Sequence, residues 1–177
     1  MEHTKVILGN NEHEIWAQIE ADIQSDPSVL QYQAEIQHLD KIILLDIDVD
    51  LGGGFEGGFE LTTFTTPLSK HPGFRFALHH EDFLDEVGKF FGMQDLITGY
   101  EEFDKNVVVK TDDLERFKEI FSDPFIRLTL QNLSVFRFYI ENDNSTQNLV
   151  LEIEEAITEP GLLRSLYSMF YRVLSAF

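Results

Sequence analysis

Three aspartates stand at alternate positions, Asp46, Asp48 and Asp50, and glycines follow at Gly52, Gly53 and Gly54. Carboxylates at this spacing ahead of a glycine make up the first half of a calcium loop. An EF-hand loop starting at Asp46 also needs a glycine at its sixth position and a bidentate glutamate at its twelfth. Those positions hold Leu51 and Gly57, so both the sharp turn and the two-oxygen ligand are missing. The interleaved Ile47 and Val49 favour extended backbone. On a strand, alternate side chains lie about 6.6–6.8 Å apart in a line rather than a cage. The three aspartates are therefore expected to form the outward face of a strand. A looser cation site there would have to recruit Glu56 or Glu60 from a facing strand.

The second group with metal chemistry is His79-His80-Glu81-Asp82. His80-Glu81 begins like the zinc-protease motif His-Glu-x-x-His, but the second histidine position is Leu84. Glu81 and Asp82 read instead as acidic residues at a helix start, where they complement the dipole. The chain holds no Gly-x-Ser-x-Gly elbow, phosphate loop or dinucleotide fingerprint. Carboxylate pairs are too plentiful to single out one for acid–base work. No catalytic residue is nominated and no cofactor is implied, so the expectation leans away from an enzyme.

Composition narrows the field further. Of 177 residues, 13 are basic and 32 acidic, giving a net charge of −19. Such a surface repels phosphate backbones and anionic membranes, which excludes nucleic acid and membrane surfaces as expected partners. A basic protein or a cation remains compatible with it. There is no cysteine, so disulfides, thiolate metal sites and cysteine nucleophiles are excluded. The first residues, Met1-Glu-His-Thr-Lys-Val-Ile-Leu-Gly, lack the basic flank and long apolar run of a signal peptide. No stretch reaches the roughly 18 apolar residues of a spanning helix. A cytoplasmic location is expected. Sixteen phenylalanines point to a core built on aromatic rings that need no hydrogen-bond partner.

The elements that would position these groups follow from periodicity. Residues 11–24 read as a helix through Ile15, Trp16, Ile19 and Ile23, and Asp26-Pro27 ends it. Residues 29–39 alternate, which favours a strand. Lys41 to Leu51 is a strand with Ile43, Leu45, Ile47, Val49 and Leu51 on one face and the aspartates on the other. Residues 58–66 form its hairpin partner across the glycines. Phe74 to Leu78 is a third strand, His80 to Met93 a helix, 95–103 a loop around Gly99, and Asn106 to Lys110 a strand. Asp112 is expected to start a helix with Glu115 completing a capping box, and Leu114, Phe117, Ile120 and Phe121 facing inward. Asp123-Pro124 breaks the chain and restarts a helix to about Leu133. Val135–Glu141 and Leu149–Glu155 are strands joined by a polar turn at 142–147. Pro160 opens a closing helix to Phe177, with Leu162, Leu163, Leu166, Met169, Phe170, Val173, Leu174 and Phe177 apolar. Helices mixed with hairpins imply an α+β fold, antiparallel hairpins forming one sheet with helices mainly on one face. Length implies a single domain over 1–177, with a weak helix–hairpin–helix echo between 11–92 and 112–177.

Residues 73–127 carry Gly73-Phe-Arg-Phe, Gly88-Lys-Phe-Phe-Gly-Met-Gln-Asp-Leu, Gly99-Tyr-Glu-Glu-Phe-Asp, Val109-Lys110 and Asp123-Pro-Phe-Ile-Arg127. This pattern resembles a family of uncharacterised bacterial proteins. Thr111 stands where the resemblance leads one to expect a glycine or other turn residue. The resemblance brings no catalytic residues with it. Physically, its residues read as turns and helix stops: Gly92 after an apolar helix, Gln94 and Asp95 bonding loop backbone, Phe103 anchoring the next strand, and Asp104 closing a turn. Arg75 or Arg127 is expected to pair with Asp95 or Asp104. A surface recognition loop over 93–104 would present Gln94, Asp95, Glu102 and Asp104.

The expectation is a non-enzymatic cytosolic binding or regulatory protein. The alternatives are an acidic inhibitor or immunity-type protein for a basic partner, a metal-dependent enzyme using Asp46 to Glu60 or the His79-His80 region, and a carrier of an apolar ligand. The oligomeric state is not legible in the sequence.

Overall fold

The computed structural model describes residues 4–25, 30–52, 58–68, 73–80, 94–143 and 146–177. The expected helix over 80–93, apart from His80, lies outside the described residues, as do Gly92 and Glu56. Among the described residues the strands are β1 (Lys5–Gly9), β2 (Gln31–His38), β3 (Lys41–Asp50), β4 (Phe59–Pro67), β5 (Phe76–His80), β6 (Gln94–Leu96), β7 (Val107–Thr111), β8 (Phe136–Asp143) and β9 (Thr146–Ile153). The helices are α1 (Glu12–Ser25), α2 (Glu101–Asp104), α3 (Leu114–Phe121), α4 (Pro124–Gln131) and α5 (Pro160–Leu174). All nine strands join one sheet in the order β1-β2-β3-β4-β9-β8-β5-β7-β6. Only β1 and β2 run parallel, joined through α1; every other pair is antiparallel. The fold is α+β.

Period-two alternation gives the sheet two different faces. The inner face presents Tyr32, Ala34 and Ile36 of β2, Ile43, Leu45 and Ile47 of β3, Phe64 of β4, and Leu149, Leu151 and Ile153 of β9, all buried. These merge into one core with Ile15, Trp16 and Ile19 of α1, Phe117 and Phe121 of α3, Ile126 of α4, and Leu166 and Phe170 of α5. Phenylalanine dominates its centre. Phe76 meets Phe121 and Phe138 edge-on at 5.2 and 5.5 Å, while Phe117 and Phe121 stack at 4.3 Å. Offset and edge contacts of this kind add about 0.5–1.5 kcal/mol each beyond burial. On the outer face, only Ala77, Tyr139 and Val150 form a small buried cluster among the described residues.

Several boundaries differ from the sequence reading. β1 was not expected: its Val6 and Leu8 stay exposed while Ile7 is buried, so it lacks a polar-out pattern. β5 lies two residues later than expected and ends on His80, which is a strand residue and not a helix start. The loop over 95–103 contains the end of β6 and most of α2. The cap of α3 is Asp113, which accepts from the Arg116 N–H at 3.1 Å. Asp112 is unavailable for capping because Arg75 holds it, through its backbone N–H at 2.6 Å and its Nε at 3.0 Å. Leu51, Leu114 and Leu162 face solvent rather than the core. Leu51 lies beyond the last paired residue of β3, and the two others sit in the first turns of their helices. The β8–β9 ladder runs further than expected, since Asn142 pairs with Gln147 and Asp143 with Thr146. Asp123 caps α4 from its side chain, with Pro124 following in the first turn.

Candidate binding surface

The acidic strand of the sequence reading is β3, and its aspartates do point away from the helices. Ile43, Leu45 and Ile47 are buried on the inner side, leaving Asp46, Asp48 and Asp50 on the outer one. Asp46 accepts from Gln33 Nε2 at 3.0 Å across the β2–β3 ladder, where Gln33 is its register partner. Asp50 folds onto the chain that follows it and accepts from the Gly52 N–H at 2.8 Å. Gly52 has φ +68°, a conformation glycine adopts without steric cost. Between β3 and β4 the outer face dips into a shallow groove of about 270 Å³, lined by Leu44, Asp46, Asp48, Leu61, Thr63 and Thr65.

Glu60 does not join this line. In the register, Asp48 faces Leu61 and Glu60 faces Val49. Glu60 therefore shares the inner side with the buried Thr62 and Phe64, and its Oε2 accepts from the Ala156 N–H at 3.3 Å. One residue of alternation thus keeps Glu60 from joining the three aspartates in the looser cation site. The histidine pair is split in the same way. His79 lies on the outer side, in register with Arg137, and its Nδ1 contacts the His80 carbonyl at 3.0 Å. His80 takes the inner side, so the two rings diverge. Among the described residues, no three His, Asp or Glu side chains gather closely enough to hold a metal ion.

The stretch over 94–104 is a short strand, a turn and a short helix rather than one loop. Gln94 and Asp95 lie on β6, opposite Thr111 and Lys110. Asp104 closes the turn by accepting from the Thr98 N–H, the Thr98 hydroxyl and the Gly99 N–H at 3.0, 2.6 and 2.9 Å. Phe103 is buried beneath it, and Glu102 is exposed on α2. The Asp95 side chain lies outside the described residues, and Asp104 is taken up by the Thr98 and Gly99 turn rather than by an arginine among the described contacts. Arg75 takes Asp112, while Arg127 lies 3.5 Å over the Tyr100 ring and donates to the carbonyls of Phe121 and Ser122 at 2.7 Å. Thr111 ends β7 and donates its hydroxyl to the Arg75 carbonyl at 2.9 Å, which joins the β5 and β7 ends.

Two further clusters escaped the sequence reading. At the end of β2, His38 is buried against α5, with its Nδ1 2.7 Å from the Tyr167 hydroxyl and its ring stacked on Tyr171 at 4.3 Å. Burial lowers the His38 pKa below its ordinary value, opposed by the nearby Glu12 carboxylate. Burial likewise raises the Tyr167 and Tyr171 hydroxyls. Glu12 is held by Arg164 Nε at 2.8 Å and the Ser168 hydroxyl at 2.9 Å. The second is an open groove of about 1190 Å³ between α3 and the C-terminal end of α5. Its charges are already committed in part, since Arg172 donates to Asp123 at 2.8 Å. That bond, with the Phe125 N–H, holds the Asp123 carboxyl below its ordinary pKa.

The outer face of β1–β4 is thus the surface where exposed apolar and acidic side chains alternate without a covering helix among the described residues. Among the described helices, none is long and apolar enough to cross a membrane. No family model, curated protein or solved structure matches this chain.

Proposed function

We propose that this chain is a non-enzymatic cytoplasmic binding or regulatory protein that captures a basic partner protein on the outer face of β1–β4. One observation carries the reading. Alternation assigns Glu35, Asp46, Asp48 and Asp50 to that face, and no lysine or arginine among its described residues. Lys5, at the end of β1, has the inner parity and is bound to Asp22 at 2.8 Å. The net charge of −19 extends the same field over the whole molecule and would steer a cationic partner inward. An inhibitor or immunity-type protein for a basic target is the specific form this reading takes when the partner is an enzyme. The resemblance over 73–127 adds no activity to it.

The test is retention on immobilised poly-L-lysine at low and at high salt. Retention at low salt that is lost at high salt is expected, because screening shortens the reach of surface charge. No retention, or equal retention at both salts, overturns capture by charge.

A further inference from the structure

We propose that the outer face of β1–β4 docks an amphipathic helix of the partner, apolar along one stripe and basic at one end. This rests on reading that face as the site for a basic partner. The argument starts from four exposed apolar side chains. Val6 and Leu8 on β1 are 56% and 57% exposed, and Ile42 and Leu44 on β3 are 45% and 44% exposed. The register aligns them in two rows across the sheet. Val6 lies opposite Glu35, which lies opposite Leu44; Leu8 lies opposite Gln37, which lies opposite Ile42. Gln37 Nε2 donates to Glu35 Oε1 at 2.7 Å, so the two polar side chains of β2 engage each other between the apolar columns. Those columns are two strand spacings apart, about 9.6 Å, close to the diameter of a helix, roughly 10 Å.

Continuing along β3, the outward residues change from Ile42 and Leu44 to Asp46 and Asp48. From Ile42 to Asp48 the strand spans about 20 Å, the length of roughly 13 helical residues. An occupant matching this face is apolar over its first turns and carries lysine or arginine over its last. Basic side chains suit the groove beside Asp46 and Asp48, because their aliphatic stems can lie on Leu44 and Leu61 while the charge reaches the carboxylates.

Other occupants fit less well. The same face of a second copy would bring no lysine or arginine to meet Glu35, Asp46 and Asp48, only further carboxylates. Strand addition at the β1 edge is blunted, since Gln18 Nε2 already donates to the Leu8 carbonyl at 2.8 Å. Nucleic acid and anionic membranes are repelled by the same carboxylates. A sheet that keeps apolar residues outward is most simply covered by a helix, as its inner face already is.

The experiment titrates the full chain with two synthetic helical peptides of equal charge. One carries leucines on a single stripe and lysines at one end; in the other the leucines are replaced by glutamine. The leucine peptide is expected to bind at least tenfold more tightly. That preference should fall at least tenfold in the Ile42→Gln/Leu44→Gln protein, and in the Asp46→Asn/Asp48→Asn protein at low salt. The Val6→Gln/Leu8→Gln protein serves where circular dichroism shows that either pair disturbs the fold. Equal binding of both peptides, unaffected by the apolar substitutions, overturns the helix proposal and leaves capture by charge standing. Binding of neither peptide at low salt overturns both.

Discussion

Asp48 and Glu60 sit on adjacent paired strands yet face opposite sides of the sheet, because Asp48 is in register with Leu61 and Glu60 with Val49. Two carboxylates that look like partners in the sequence are separated by the thickness of the sheet. Asp46 and Asp48 remain on the outer face, in line and about 6.8 Å apart along the strand. The Asp48→Asn protein should therefore unfold within about 0.5 kcal/mol of the parent, a change of about 2 °C in Tm. Millimolar calcium or magnesium should leave the parent's Tm where it is. A loss of several degrees in the variant would mean that Asp48 supports the fold. A rise of several degrees with calcium would mean that the carboxylates converge on a cation.

Thr62 is the polar pin of the inner face. It is fully buried, donates its hydroxyl to the Glu155 carbonyl at 2.7 Å, and accepts from the Ile157 N–H at 2.9 Å. These bonds tie β4 to the segment that leads into α5. Thr62→Val keeps the shape but orphans a buried donor and a buried acceptor, and should cost about 2–3 kcal/mol in urea unfolding. Thr62→Ser should recover most of it. Equal losses in both variants would assign the cost to packing instead of to hydrogen bonding.

The parts of this fold that were legible are those whose two faces differ in chemistry. β3 alternates isoleucine, leucine and valine with aspartate, so its existence and facing followed directly. β4 has threonine on both faces, at Thr62 and Thr66 inward and Thr63 and Thr65 outward, which hid the side that Glu60 takes. β1 and β6 are five and three residues long, too short to show a period, and both are edge strands. The partner of Arg75 depended on register. Phe76 pairs with Thr111, which places Arg75 and Asp112 side by side just beyond the two strands. Contacts across the chain, such as His38 with Tyr167, leave no local signal at all. The proposed binding face needed β1, since Val6 and Leu8 come from a strand the sequence did not announce.

The β2–β3 hairpin carries its own strain. His38 pairs with Lys41, so Leu39 and Asp40 form a two-residue turn, and Leu39 has φ +56° with its side chain 64% exposed. A branched residue gains nothing from solvent to offset that backbone conformation, whereas glycine adopts it freely. Leu39→Gly should stabilise the protein by about 1 kcal/mol, with Leu39→Asn giving a smaller gain. A destabilised glycine variant would show that the Leu39 side chain makes a contact that outweighs the strain.

His38 gives the protein a specific pH dependence. Its ring is buried between β2 and α5, shares a hydrogen bond with Tyr167, and stacks on Tyr171. The charged groups near it are Glu12, which favours a cationic ring but is itself engaged by Arg164, and Asp40 beside Tyr171. Desolvation outweighs Glu12, so the folded pKa lies below the ordinary 6.5. A depressed histidine pKa means that the unfolded chain takes up this proton at a higher pH than the folded one. Below the unfolded value, and down to the folded one, the unfolded state binds more protons, so stability falls as pH falls through that window. Above the unfolded value both forms are neutral and the contribution is flat. His38→Gln keeps a polar group near Tyr167 but cannot take the proton. Chemical denaturation across pH 5 to 8, on the order of the range in which histidine titrates, should give the parent a steeper slope on the acid side than the variant. Parallel slopes for the two proteins would show that His38 titrates alike in the folded and unfolded chain, and that its burial against α5 does not exclude the charged ring.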